Sequence, residues 1–200
     1  MNRDHLPVSI ALLLFISCVY YRDIGTLLPA LLLPVAAHEL GHLAVLWLLG
    51  LKIESIRLEV RGVCIRYSGA CSERGHIAAA LAGPMGGLLY SASLLLLRLG
   101  RVEWLRISAQ ISLLLTAFNL LPILPLDGGQ VFVRLCHNAL GVEVGERLYR
   151  GVSNAILALA LTGGIVLICT RQASAPLAAS IWLLLFQNDR QTLVKNGEVL

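Results

Sequence analysis

The chain has 200 residues, 57% of them hydrophobic and 14% charged, with a formal net charge of +4. A soluble domain carries about a quarter charged residues, so this composition excludes an ordinary soluble globule and puts the chain in a membrane. The basic residues are scattered through the loops rather than gathered on one face, which excludes a nucleic-acid surface.

Stretches free of Lys, Arg, Asp and Glu run over 6–21, 75–97, 107–126, 151–170 and 172–188. Each approaches the ~20 helical residues that cross a hydrocarbon core of ~30 Å. The first ends at Tyr20-Tyr21-Arg22-Asp23, without the small-residue pattern of a signal-peptide cleavage site, so a retained span is expected. A sixth run, 24–51, carries His38, Glu39 and His42 near its middle. In the loop that follows, Ile56, Leu58 and Val60 alternate with Arg57, Glu59 and Arg61, and Val63, Ile65 and Tyr67 continue the period after Gly62. That alternation predicts a two-stranded ribbon.

In the third span Ala79, Gly83 and Gly87 form a stripe of small residues, expected to let another helix of the same chain approach closely. After the fourth span, 129–141 mixes Val131, Phe132, Leu135 and Leu140 with polar residues, and 143–150 is charged. Short interfacial helices are expected there. The predicted fold is an all-α polytopic membrane protein with about six transmembrane helices, a small β-ribbon between spans two and three, and a single domain over 1–200. With the N-terminus in the cytosol, eleven basic residues fall inside and five outside, so the positive-inside bias places both termini there. The five cysteines include no CxxC pair, and no disulfide framework is expected.

His38-Glu39-Leu40-Gly41-His42 sets two imidazoles four residues apart, on one face of a helix, where both can bind a single Zn²⁺. Glu39, beside them, is placed to take a proton from an attacking water and deliver one to the leaving amine. An ionisable residue at the centre of a span costs roughly 2.5–3.5 kcal/mol even on lenient scales, so three within five positions argue for a site rather than a packing cluster. Glu73 and His76 repeat an ExxH spacing, but a di-iron bundle needs further inward glutamates that the spans lack.

A catalytic zinc site has three protein ligands and one open position. Glu54 and Glu59 fall on the polar register of the ribbon, outside the bilayer. Asp127 ends the apolar run Asn119-Leu120-Leu121-Pro122-Ile123-Leu124-Pro125-Leu126, whose prolines, with Gly128 and Gly129, are expected to break the helix. Irregular backbone at membrane depth is tolerated where protein or a watery cavity covers it, as a hydrolytic site requires. Glu39 lies thirteen residues before Lys52, about 20 Å along a helix at ~1.5 Å per residue, and span four runs toward the same side before reaching Asp127. An aspartate before two glycines also suits a turn at the membrane surface, but the histidine motif favours a ligand.

These residues resemble the site-2 protease family of intramembrane metalloproteases: the His38–His42 helix, then Ala82-Gly83-Pro84, then the Asn119 to Asp127-Gly128 segment, covering about residues 24–135. The resemblance implies zinc held by His38, His42 and Asp127, Glu39 as catalytic base, and Asn119 positioning the substrate strand or the oxyanion. It also implies that the ribbon at 53–67 pairs with an unwound substrate. Strand addition makes sense independently, because a helical peptide bond is shielded until it is extended. Asn119 by itself reads equally well as an interhelical hydrogen bond. Gly87 departs from the family, which often has an asparagine there, so a helper contact is expected to be missing.

The architecture is most similar to the six-span branch that includes the sporulation-factor protease. The expected setting is a bacterial cytoplasmic membrane, with a membrane protein substrate, the lipid bilayer and regulatory membrane partners. Two other readings compete: a metal-binding membrane transporter or non-catalytic substrate-binding protein, and a scaffold whose polar cluster is structural. Glu39 favours the enzyme, because transport needs ligands but no poised proton acceptor.

Overall fold

The computed structural model describes residues 24–59 and 62–169. These fall into two compact units, one ending at Asn119 and the other starting at Leu120. The spans expected at 6–21 and 172–188 lie outside the described residues.

The first unit runs α1 (Ile24–Leu48), β1 (Lys52–Glu59), β2 (Gly62–Ser68), α2 (Glu73–Leu96), a single 3-10 turn (Leu99–Arg101) and α3 (Glu103–Asn119). Leu28–Leu48 within α1, and α2, are the two described helical segments long and apolar enough to cross a membrane. The expected span at 107–126 is shorter as a helix, because α3 stops at Asn119. Pro122 and Pro125 explain the stop: neither can donate to a helical ladder, and each disfavours helix in the residue before it.

The distribution of side chains inverts that of a soluble protein. Leu32, Leu40, Trp47, Leu89, Leu96 and Leu114 are exposed, whereas His38, His42, Ser91, Ser108, Ser112 and Thr116 are buried. Soluble monomers rarely expose apolar surface on this scale, while membrane bundles put small and polar residues between their helices and large apolar ones toward lipid. The pattern is that of a membrane-embedded chain.

The expected ribbon forms as an antiparallel pair, with Ile56 opposite Ile65 and Ile53 opposite Tyr67. An irregularity between Ile53 and Ser55 inserts one residue. That insertion restores the phase of Ile53, which an uninterrupted period of two would turn to the opposite face from Ile56. Ile65 and Tyr67 are buried with Leu46, Leu51 and Ala79, so the ribbon packs on the ends of α1 and α2. Tyr67 Oη and His76 Nδ1 are hydrogen-bonded at 2.8 Å, which gives His76 a structural partner. Ser72 caps α2 by accepting from the Gly75 N–H at 3.1 Å.

The small-residue stripe of α2 packs internally, as expected, but against two different partners. A Cβ on Gly83 would strike the histidines of α1, whereas one on Gly87 would lie 2.6 Å from Thr116 Oγ1. Along the α2–α3 seam, Ser91 Oγ donates to the Ala109 carbonyl at 3.0 Å and Ser112 Oγ to the Gly87 carbonyl at 2.9 Å.

The second unit consists of the irregular segment 120–126, α4 (Asp127–Leu140) and α5 (Val142–Cys169). Two expectations need correction. Gly128 and Gly129 do not break a helix but sit in the first turn of α4. Residues 143–150 are not a separate interfacial helix; with Val142 they begin the 28-residue α5, which follows the expected span from Gly151 to Cys169. Nothing between Arg150 and Gly151 interrupts the hydrogen-bond ladder, and one glycine costs a helix only about 1 kcal/mol. The break falls earlier, at Gly141, whose φ of 79° favours glycine.

Candidate metal centre

His38 and His42 project from one face of α1, and both are buried. Their Nε2 atoms are 3.3 Å apart, with the rings edge to face. His42 Nδ1 lies 2.8 Å from the Ala79 carbonyl oxygen. A carbonyl can only accept, so Nδ1 carries the proton and Nε2 presents its lone pair. Two nitrogens bound to one tetrahedral zinc at about 2.0–2.1 Å lie about 3.3 Å apart. The spacing of this pair therefore matches two ligands of a single ion.

Gly83 makes the approach possible. A Cβ there would lie 2.7 Å from Nε2 of His38 and closer still to Nε2 of His42. Only a residue without a side chain lets α2 lie against both imidazoles. Gly41 and Gly86 serve the same crossing, since a Cβ on Gly86 would lie 3.3 Å from the Gly41 Cα and one on Gly41 would strike the Ala82 carbonyl. Glu39 is half-buried and follows His38 directly in α1.

In the second unit Asp127 opens α4 and is buried. A carboxylate in a helix's first turn is favoured by the partial positive charge of the unpaired N–H groups. The backbone around Asp127 is tightly folded: a Cβ on Gly128 would strike Leu120, and one on Gly129 would lie 2.6 Å from the Leu124 nitrogen. The glycines are thus required by the close return of 120–126 over the first turn of α4. Asn119 is the last residue of α3, and its Nδ2 donates to the Leu115 carbonyl at 3.0 Å. That bond lies within its own helix, rather than between helices.

Within the first unit His38 and His42 offer two buried imidazole donors, and in the second unit Asp127 offers a buried carboxylate. Imidazole nitrogen and carboxylate oxygen are ligand types that zinc accepts. The Ala79 carbonyl was not legible as part of the site, because a backbone acceptor leaves no mark on residue type. The signal that pointed near it was the small-residue stripe, which shows where two backbones can meet.

Fold and histidine pair together define a helical protein of membrane type whose first described helix carries two buried imidazoles spaced to bind one metal ion. The chain belongs to the Peptidase M50B-like family, whose model matches residues 8–136. It is 25% identical to the zinc metalloprotease MJ0392 of Methanocaldococcus jannaschii, over 68% of this chain and 42% of that protein. It is 32% identical to Rip3 of Mycobacterium tuberculosis, which bears a provisional zinc-metalloprotease name, over 76% of this chain and 41% of that one. The chain thus spans about two-fifths of the length of these curated relatives. Among solved structures it is similar to a site-2 protease from Methanocaldococcus jannaschii, with a TM-score of 0.68, 21% identity, and coverage of 96% of this chain and 92% of that one. That likeness establishes the fold.

Proposed function

We propose that the chain is a zinc-dependent endopeptidase that hydrolyses a peptide bond in or beside a transmembrane segment of a membrane-bound substrate. The observation that carries this reading is the pair of Nε2 atoms 3.3 Å apart on α1, with a carboxylate in the adjacent position and His42 held in the ligand tautomer by Ala79.

In this reading His38 and His42 from the first unit and Asp127 from the second hold one zinc, and both units belong to one catalytic domain. Zinc supplies Lewis-acid polarisation of the scissile carbonyl and lowers the pKa of water at the site to about 7. Glu39 accepts the proton of the attacking water at its carboxylate and returns it to the leaving amine nitrogen. Asn119 Nδ2 has two hydrogens, one of which goes to Leu115; the second donates to the substrate strand or to the developing oxyanion. The ribbon supports capture of an extended substrate, because a two-stranded sheet keeps an outer edge on each strand. The setting is a multi-pass protein of a bacterial cytoplasmic membrane, with both termini cytosolic and regulation supplied by membrane partners.

The test is Glu39→Gln in the full chain, with zinc content and membrane-protein fragments compared against wild type. The variant is expected to keep its zinc, lose cleavage and accumulate an uncut precursor. Normal cleavage by Glu39→Gln overturns the mechanism. Metal transport or partner binding that persists in the variant, with no precursor accumulating, favours a non-hydrolytic metal protein.

A further inference from the structure

The segment 120–126 leads directly into Asp127 and has few backbone donors with which to fix its own shape. Pro122 and Pro125 have no N–H. Two turns fold it, the Ile123 N–H donating to the Leu121 carbonyl at 2.8 Å and the Leu126 N–H to the Ile123 carbonyl at 2.9 Å. The Leu124 N–H points out of the segment and donates to Tyr149 Oη at 2.9 Å. Tyr149 comes from α5, is buried, and has its ring 6.4 Å from that of Phe132 on α4.

Tyr149 therefore touches both sides of Asp127 in the chain, the segment before it through the hydroxyl and the helix after it through the ring. Its own helix is fixed against α4, since a Cβ on Gly145 would lie 2.7 Å from the Cys136 carbonyl. A donor three residues before Asp127 is thus tied to a rigid support, in a place where the glycines leave no side chains to do the same.

We propose that Tyr149 is a positioning residue that fixes the turn delivering the Asp127 carboxylate to the metal. The inference rests on the assignment of Asp127 as a ligand made above. Tyr149→Phe keeps the ring against Phe132 and removes only the acceptor for the Leu124 N–H, so the turn loosens while α4 and α5 stay packed. Outer partners that orient a metal ligand are worth about 10- to 100-fold in metal affinity, and one acting through backbone belongs at the lower end.

The test uses the full chain, purified and loaded with zinc. Zinc release to a colorimetric chelator is measured for wild type, Tyr149→Phe and Asp127→Asn, together with thermal unfolding of each zinc-free protein. Tyr149→Phe is expected to hold zinc about tenfold less tightly while its zinc-free unfolding temperature stays near that of wild type. Should Asp127→Asn release zinc as wild type does, the ligand assignment itself fails. Should Asp127→Asn lose zinc while Tyr149→Phe retains it normally, the assignment stands and the positioning role is overturned. A drop in zinc-free stability with unchanged zinc retention also overturns it, since that is the signature of packing alone. If Tyr149→Phe does not accumulate, 3-fluorotyrosine at position 149 keeps the hydroxyl but weakens it as an acceptor. It must then loosen zinc in the same direction, and no change overturns the proposal.

Discussion

Gly83 bears directly on the site, because it determines how close α2 can come to the two imidazoles. Gly83→Ala is the smallest change available and improves helix propensity by about 1 kcal/mol, so α2 should still form. The added methyl would sit 2.7 Å from His38 Nε2, where it must displace a ligand nitrogen or push the helices apart. We expect helical content to stay near wild type by circular dichroism, while zinc affinity falls about tenfold or more and cleavage falls with it. Normal zinc retention would mean that α1 and α2 can separate without disturbing the histidine pair. At this scale the sequence was most informative where chemistry depends on residue type and spacing: His38, Glu39 and His42 announce themselves through a helical period. The proton on His42 Nδ1 was not legible, because it is fixed by the main chain of Ala79. Asn119 was only half legible, since its amide bonds to a carbonyl four residues back within α3.

Elements show a similar division. The ribbon was legible because its alternation has a period of two that few other structures share, and the inserted residue beside Ile53 was the part that alternation alone could not supply. Single expected spans became helices of different length, because the boundary of α3 depends on prolines and the start of α5 on Gly141, neither of which alters hydropathy. The α2–α3 seam depends on hydroxyls that look unremarkable in an apolar stretch. Ser108, Ser112 and Thr116 recur at helical spacing and are all buried, and Ser112 and Thr116 reach carbonyls of α2 at 2.9 and 3.5 Å. Ser112→Ala removes one such bond, and the Gly87 carbonyl keeps its place in the helical ladder, so the cost should be small, about 0.6–1 kcal/mol in reversible unfolding in bicelles. Gly87→Asn tests the opposite effect. It places there the asparagine that the family resemblance led one to expect, but here its Cβ would lie 2.6 Å from Thr116 Oγ1 and 3.3 Å from Ser112 Oγ. Overpacking of that kind costs about 1–3 kcal/mol, so the asparagine should destabilise more than the serine deletion does. A neutral or stabilising Gly87→Asn would show that the seam has room the packing does not suggest.

At the scale of the whole molecule, the described residues form two compact units, with the histidines in the first and Asp127 in the second. If one zinc takes ligands from both, its removal has a consequence that a metal confined to either unit would not produce. An ion that binds only the folded protein adds about 2.7 kcal/mol of stability at a free concentration of 100 Kd. Shared between units, that free energy also couples them, so local opening of one is penalised by the other. Backbone hydrogen exchange can read this directly. Chelation of zinc is expected to raise exchange both in α1 around His42 and in the first turn of α4. Asp127→Ala, with zinc still present, is expected to raise exchange around His42 in a helix to which it does not belong, by loss of the shared ion. Protection in α1 that survives Asp127→Ala while chelation abolishes it would show that the histidine pair holds the ion without Asp127, and would place the third ligand elsewhere.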